Sequence, residues 1–564
     1  MIQHLKFLWL ATLASLLSTF PIHATLASGG LQTIAVTGDQ APGAPAGVVF
    51  GRLGAPTLNN NGEIRFAGQL LGNGVDTTND TGLFAVDTAD GLSLLAREGD
   101  PAPGLPSGVS LDVSFSVQLN DSGQTVFIAD LSGAGVNDTN DSALFFDDGA
   151  AIEVLVREGD PAPSTTTGVT FDSLFSPALN NGGQFGFSAI LDGVGVNAFN
   201  NFAIFIGDSS GGVSLIARKG DPAPETPAGV NLGSLDFPPF GPAIFSDGGE
   251  TAFVASLSGA GVDASNDAAI FSGGSSGSLS LVAREGDAAP GTAAGVSFGS
   301  LTTPRINNNG ETAFLAFLTG TGVDTTNNAA FFNESNEALE LVARAGDQAP
   351  GIAGDVTFGT QFGFAGARDL FNEAGQTAFF VDLNGTGVDE TNDSALFSED
   401  NNGDLALVAR TGDQAPGTTP GIAFESFVDG ATLNENGQIA FLALLTEGVD
   451  PSTGDTIPPG IGLFAQDLTG ELQLIARDGD SIDVSDDPQT PDLQTIGFID
   501  FFSVLSEGVQ FNDAGQVAFS VFLDDISTGA IVVSDLVAIP EPTAMLLMII
   551  GSTGALGTRR RAYR

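Results

Sequence analysis

The stretch "LQTIAVTGD" (Leu31–Asp39) reads as an extended segment ending in a Gly-Asp turn, and the form returns downstream as "LVAREGD" (Leu281–Asp287). The Gly-Asp pair recurs at Asp39, Asp100, Asp160, Asp221, Asp287, Asp347, Asp413 and Asp480, 60 to 67 residues apart. After each pair comes a second marker, Asn-x-x-Gly-x-x-Ala-Phe, clearest as "NNNGETAF" (Asn307–Phe314) and "NEAGQTAF" (Asn372–Phe379). Its glycine recurs eight times, from Gly62 to Gly515. A fixed period of this kind means one structural unit written eight times. The copies vary: Ser246 replaces the first Asn of the fourth marker, and the eighth Gly-Asp lacks the Pro-Gly sequel.

Within a copy the apolar runs are short, and none has helical periodicity. In the fifth copy "GVSFGSLTTPRIN" (Gly295–Asn307) predicts a first strand, closed by a turn at Asn309-Gly310. An Asn-Gly pair between apolar runs is a strong hairpin signal, because both residues tolerate positive φ. "ETAFLAFL" (Glu311–Leu318), "AAFF" (Ala329–Phe332) and "LELVAR" (Leu339–Arg344) predict the second, third and fourth strands. Four antiparallel strands in chain order make a propeller blade. The ends of the array decide whether it closes. The last copy stops after "GAIVVSDL" (Gly529–Leu536), a third strand, whereas the chain opens on a lone fourth strand at Leu31. The expected fold is therefore all-β, an eight-bladed propeller whose N-terminal strand completes the eighth blade. An array of β-sandwich or solenoid repeats is the alternative.

Composition narrows the chemistry. The chain has 564 residues, with 68 acidic and 17 basic side chains and a net charge of −51. Nucleic-acid binding needs clustered Lys and Arg, so it is excluded. There is no Cys, and the only histidines, His4 and His23, precede the repeats. The body has no Trp, Tyr or Met either, which removes Ser-His-Asp and Cys-His catalysis and His-ligated zinc. A carboxylate-only enzyme needs one distinctive pair of acids. Near-equivalent repeats nominate none.

Residues 1–27 read as a signal peptide: Lys6, the apolar "FLWLATLASLL" (Phe7–Leu17), and small residues at Ala24 and Ala27 for cleavage. Residues 29–537 hold the repeats. The tail, 538–564, has Pro540-Glu541-Pro542, an apolar stretch from Ala544 to Leu556, and Arg559, Arg560, Arg561 and Arg564. It resembles the PEP-CTERM sorting signal of exopolysaccharide-producing Gram-negative bacteria. That resemblance implies a transmembrane segment used as a temporary inner-membrane anchor, cleaved near Pro540-Glu541-Pro542 by an exosortase. The repeats themselves resemble the tandem Asn-x-x-Gly-x-x-Ala-Phe family of bacterial surface proteins, which implies no particular activity.

Two repeated features are candidate sites. The loop between second and third strands is acidic: "GVDTTND" (Gly74–Asp80), "GVDASND" (Gly261–Asp267) and "GVDETND" (Gly387–Asp393), but "GVNAFNN" (Gly195–Asn201) in the third copy. Closely spaced oxygen ligands suit calcium, which nominates Asp76, Asp80, Asp263, Asp267, Asp389 and Asp393. The competing reading is that these side chains cap their own turns. The second feature is the Arg of "AREGD", at Arg97, Arg157, Arg218, Arg284, Arg344, Arg410 and Arg477. An Arg near a repeated Asp suggests an ion pair holding the crossing between blades. A ring of Arg binding anionic glycan is the functional alternative.

The expectation is an exported, cell-surface-sorted, non-catalytic propeller serving as a structural or interaction module in an exopolysaccharide matrix. No cofactor other than calcium is expected. Expected partners are the exosortase-type processing enzyme, exopolysaccharide or another surface protein, with membrane contact only through the tail. A calcium-dependent glycan- or protein-binding module is the alternative, and a carboxylate enzyme acting on surface glycans the third reading.

Overall fold

The computed structural model describes residues 30–535, apart from 88–90, 237–244, 275–278, 336–337, 364–369, 401, 450–451, 486–489, 501–508 and 525. The signal peptide and the sorting tail, with Pro540, Glu541, Pro542, Arg559, Arg560 and Arg561, lie outside the described residues. Among the described residues no helix is long and apolar enough to cross a membrane.

The chain forms eight blades of antiparallel strands arranged as a closed propeller. In the fifth blade the strands are Val296–Leu301 with its continuation Arg305–Ile306, Thr312–Gly320, Ala329–Ser335 and Ala338–Arg344, which is the expected order. The eighth blade combines Leu493–Ile499, Gln516–Leu523 and Gly529–Asp535 with the N-terminal strand Leu31–Val36. Leu31 pairs with Ser534 and Val36 with Ala530. The N-terminal strand also reproduces a detail of the other fourth strands. In the first blade Leu95 bulges out between Leu94 and Ala96, and in the eighth Ile34 bulges out between Thr33 and Ala35. Both bulged side chains pack into the seam with the next blade. Two additions were not expected: a strand Ser481–Asp483 beside Leu493–Ile499, and a small hairpin of Gly448–Val449 with Thr456–Ile457.

The core sits between the blades. Each hydrophobic cluster draws on two neighbouring blades, and the cluster with Ala35, Phe50, Phe66, Phe84 and Ile531 joins the eighth to the first. Phenylalanine dominates because strands covered on both faces need large apolar side chains with no polar atom to satisfy. In the third blade Phe171, Phe187 and Phe205 meet as a trio, with ring centroids 5.0 to 5.6 Å apart. Each such fully buried ring contributes about 1.5–3 kcal/mol. Phe314 and Phe379, expected in the core, are fully buried.

The Asn-Gly turn differs from the two-residue form. Asn307 N–H donates to Glu311 O and Gly310 N–H to Asn307 O, which makes a three-residue loop. Only Gly310 has positive φ, at +79°, as a type I turn closing on a glycine bulge requires. Asn307 and Asn308 are thereby free for other work.

Candidate functional site

At the hub, the first Asn of the repeated marker laces one blade to the next. Asn59 Oδ1 accepts from the backbone N–H of Asn61 and of Glu63, which caps the turn. Its Nδ2 donates to Glu63 Oε2 and, 2.8 Å away, to the carbonyl of Asn120 in the second blade. The pattern repeats from Asn120 to Asn180, Asn180 to Ser246, Asn307 to Asn372, Asn372 to Asn434 and Asn434 to Asn512. Asn512 then donates to Asn59 and closes the ring. Blade four, with Ser246, lacks the amide donor.

The next residue supplies a second lacing. Asn60 N–H donates to Asp121, Asp121 N–H to Asn181, Asn181 N–H to Asp247 and Asp247 N–H to Asn308. The circuit continues through Glu373 and Glu435 to Asp513, whose N–H returns to Asn60. Five carboxylates thus stand in one ring, each accepting a backbone N–H. Burial pushes Glu373 up to about 7 and raises Asp513 as well, because the charged form loses water there.

The outer loops hold the residues nominated for calcium. Asp76 Oδ1 accepts from the N–H and hydroxyl of Thr78, at 3.0 and 2.7 Å. Those bonds, the hydroxyl first, hold its carboxyl below the usual carboxylate range. Asp263 does the same with Ser265, and Asp389 with Thr391. The second acid of each loop faces elsewhere. Asp80 accepts from Gln69 and Thr81, and its N–H donates to Glu98 Oε2. Asp267 lies against Glu285 in the same way, and Asp393 continues into Ser394, held by Thr411. The structure thus spends the first acid of each loop on its own turn, and Asp80 and Asp267 on the blade. Among the described residues no group of three or more His, Cys, Asp or Glu is arranged to hold a metal ion.

Glu98, Glu158 and Glu285 are buried against a neighbouring aspartate. Burial first, and then the hydrogen-bonded carboxyl beside each, push them up to about 7, 8 and 7. The same acid pair is built in three blades.

The repeated Arg does not form the expected ion pair with the Gly-Asp aspartate. Arg97 Nε and Nη2 both donate to the carbonyl of Asn79, at 2.9 and 2.7 Å. Arg157, Arg218, Arg284, Arg344 and Arg410 reach the equivalent Asn carbonyl, and Arg477 reaches Pro458 O. The guanidinium ties the fourth strand to the acidic loop of its own blade, since that loop's turn leaves a carbonyl pointing at it. The one ion pair among the described residues is Arg65–Asp87, at 2.9 Å. In each of the seven at least one guanidinium nitrogen is turned to a loop carbonyl.

One loop departs from the pattern. In the third blade Asn197 and Asn201 stand where Asp76 and Asp80 stand in the first, and Lys219 stands in the place of Glu98. Phe199 occupies the position of Thr78, keeps the turn's N–H bond to Asn197 Oδ1, and is 80% exposed. Val194 beside it is 68% exposed. Lys219 Nζ holds the loop through Ala198 O at 2.6 Å. The sequence carried a signal for this patch, the "GVNAFNN" variant, but only exposure shows that the ring faces outward.

Three solved structures are similar in fold. Oligogalacturonate lyase in complex with manganese shares 11% identity over 78% of this chain and 99% of its own, at a TM-score of 0.32. The β-propeller domain of the Trilobed protease from Pyrococcus furiosus shares 10% over 76% and 98%, also at 0.32. The periplasmic gluconolactonase PpgL of Pseudomonas aeruginosa shares 15% over 75% and 99%, at 0.26. No curated protein matches the chain. Residues 22–414 and 359–546 match the family DUF7453, and the chain belongs to this family of unknown function.

Proposed function

We propose that this chain is an exported, surface-sorted, non-catalytic propeller that works as an interaction module in an exopolysaccharide matrix. The observation that carries the reading is the third-blade loop, where Phe199 and Val194 stand exposed on an otherwise acidic ring. Exposed apolar groups in a variant copy of a repeated loop mark a contact surface. Support for a non-catalytic role comes from the acid pairs, which recur in three blades and serve the blade rather than one reacting centre. Support for export and sorting comes from the two terminal segments of the sequence. The full chain is to be compared with a Phe199→Ser, Val194→Ala variant for retention on exopolysaccharide and surface fractions of a producing cell. Lower retention by the variant, with an unchanged melting temperature, is the expected result. Equal retention would remove the third-blade loop from the contact.

A further inference from the structure

The seam between the eighth and first blades holds a cleft of about 670 Å³, a volume typical of small-molecule sites at about 300–1,000 Å³. It is built where the repeat pattern breaks on both sides of the closing seam. Two positions after the first-strand Phe50, the first blade carries Arg52, and the eighth carries Phe498 at the same position. The third, fourth, fifth, sixth and seventh blades carry Ser173, Ser234, Ser300, Thr360 and Ser426 there. The second blade carries Val113 there. Arg52 and Phe498 are neighbours only because the ring closes, and both line the cleft.

The cleft's groups are of two kinds. Phe498 stacks on Phe522 with ring centroids 4.7 Å apart and 22° between planes, which gives an apolar wall. Ile526 adds to it from a backbone φ of +51°, unusual for a β-branched residue, and is 70% exposed. Arg52 is exposed and has no hydrogen-bond or ion-pair partner among the described residues. Among the described basic residues that is exceptional: the repeated arginines and Lys219 are bonded to loop carbonyls, Arg65 to Asp87, and Arg305 has an interaction of its own. Asp500 also lines the cleft and makes no ion pair with Arg52.

We propose that this cleft binds a small amphipathic carboxylate: an apolar ring lying against Phe498 and Phe522, its single negative charge on the Arg52 guanidinium. Arg's planar fork matches a carboxylate, and a lone cation in a strongly acidic protein favours a monoanion over a polyanion. The site is separate from the third-blade surface, so either reading can fail without the other.

The test is titration calorimetry on the full chain with 4-phenylbutyrate as probe and 4-phenylbutan-1-ol as its neutral counterpart. Arg52→Ser and Phe498→Ser install the residue that other blades use at this position, so both variants keep the fold, as melting temperature verifies. The acid is expected to bind and the alcohol at least about tenfold more weakly, the loss of one charge-assisted contact. Each variant is expected to weaken acid binding by a similar factor. No binding of the acid at millimolar concentration, equal binding of the alcohol, or unchanged binding by Arg52→Ser would each overturn the proposal.

Discussion

The side-chain amide of Asn512 donates to the backbone carbonyl of Asn59 at 2.9 Å, across 453 residues of chain. With this bond the last blade meets the first in the geometry by which Asn59 meets Asn120, so closure repeats an ordinary blade contact. The ring is held at its hub by this amide lacing and at its seams by Phe-rich clusters. Asn512 is buried, so its three side-chain bonds are made away from competing water.

Asn512→Ala removes that lacing, leaves the Gln516 N–H and Oε1 without their Asn512 partners, and leaves the Asn59 carbonyl with only the Gly62 N–H. The expected loss is about 2–4 kcal/mol, since unsatisfied buried groups cost more than a bond contributes. Ser246→Asn should do the reverse in the fourth blade, adding about 1 kcal/mol by supplying the missing donor toward Asn307. Denaturant midpoints of the two variants, moving in opposite directions, check both.

Gly437 illustrates the second constraint in the marker. Its φ is +75°, and a Cβ there would stand 2.8 Å from Gln376 Oε1 of the preceding blade. Gly322, with φ +77°, would place its Cβ in open space. Gly437→Ala should therefore cost more than Gly322→Ala, at which only the backbone penalty of about 1 kcal/mol applies. Equal costs would show that the Gln side chain yields freely.

The acid pairs make stability fall with rising pH. Glu98, Glu158 and Glu285 titrate higher in the folded chain, at about 7, 8 and 7, than the usual 4.5. A raised pKa means the folded state binds the extra proton. Its contribution is full below the unfolded pKa and is lost as pH rises through 7 to 8. Glu158→Gln stays neutral and keeps the acceptor for Asp141 N–H. It should melt higher than the wild type at pH 8.5 and alike at pH 5; curves that run parallel would refute the assignment.

Calcium should have no specific effect. Asp76, Asp263 and Asp389 already accept two hydrogen bonds from their own turns. Millimolar calcium, matched for ionic strength with magnesium and sodium, is expected to leave the melting temperature unchanged relative to magnesium. A calcium-selective rise, lost in Asp76→Asn with Asp80→Asn, would restore the ligand reading.

Ring closure depends on Ala35, buried among Phe50, Phe66 and Ile531. Ala35→Asp puts an unpaired charge in the closing seam and should cost about 3–5 kcal/mol. Limited proteolysis should then release the N-terminal segment before any other part of the ring.

Strand order, blade number and the closing strand are legible in the sequence because each follows from local pattern and period. "LQTIAVTGD" matches a fourth strand down to the bulge at Ile34, and a missing fourth strand at the far end completes the deduction. The turn residues were legible as markers but not as lacing. Asn60 and Asp121 meet only when two hairpins stand side by side, and a hairpin's own sequence does not say what its side chains reach. The same limit explains the Arg: its nearness in sequence to an aspartate suggested a charge pair, whereas folding points it at the carbonyl of Asn79.

What the sequence by itself determined is the closed eight-bladed ring, because repetition and the offset ends admit one economical arrangement of strands. What only the tertiary structure decided is which side chains are spent and which are left. Seven arginines are bonded to loop carbonyls, the loop acids cap turns, and Arg52 comes beside Phe498 across a seam that joins the two ends of the array. Long-range contact made those choices, since the energy of a polar group depends on the partners and the water that the fold leaves around it.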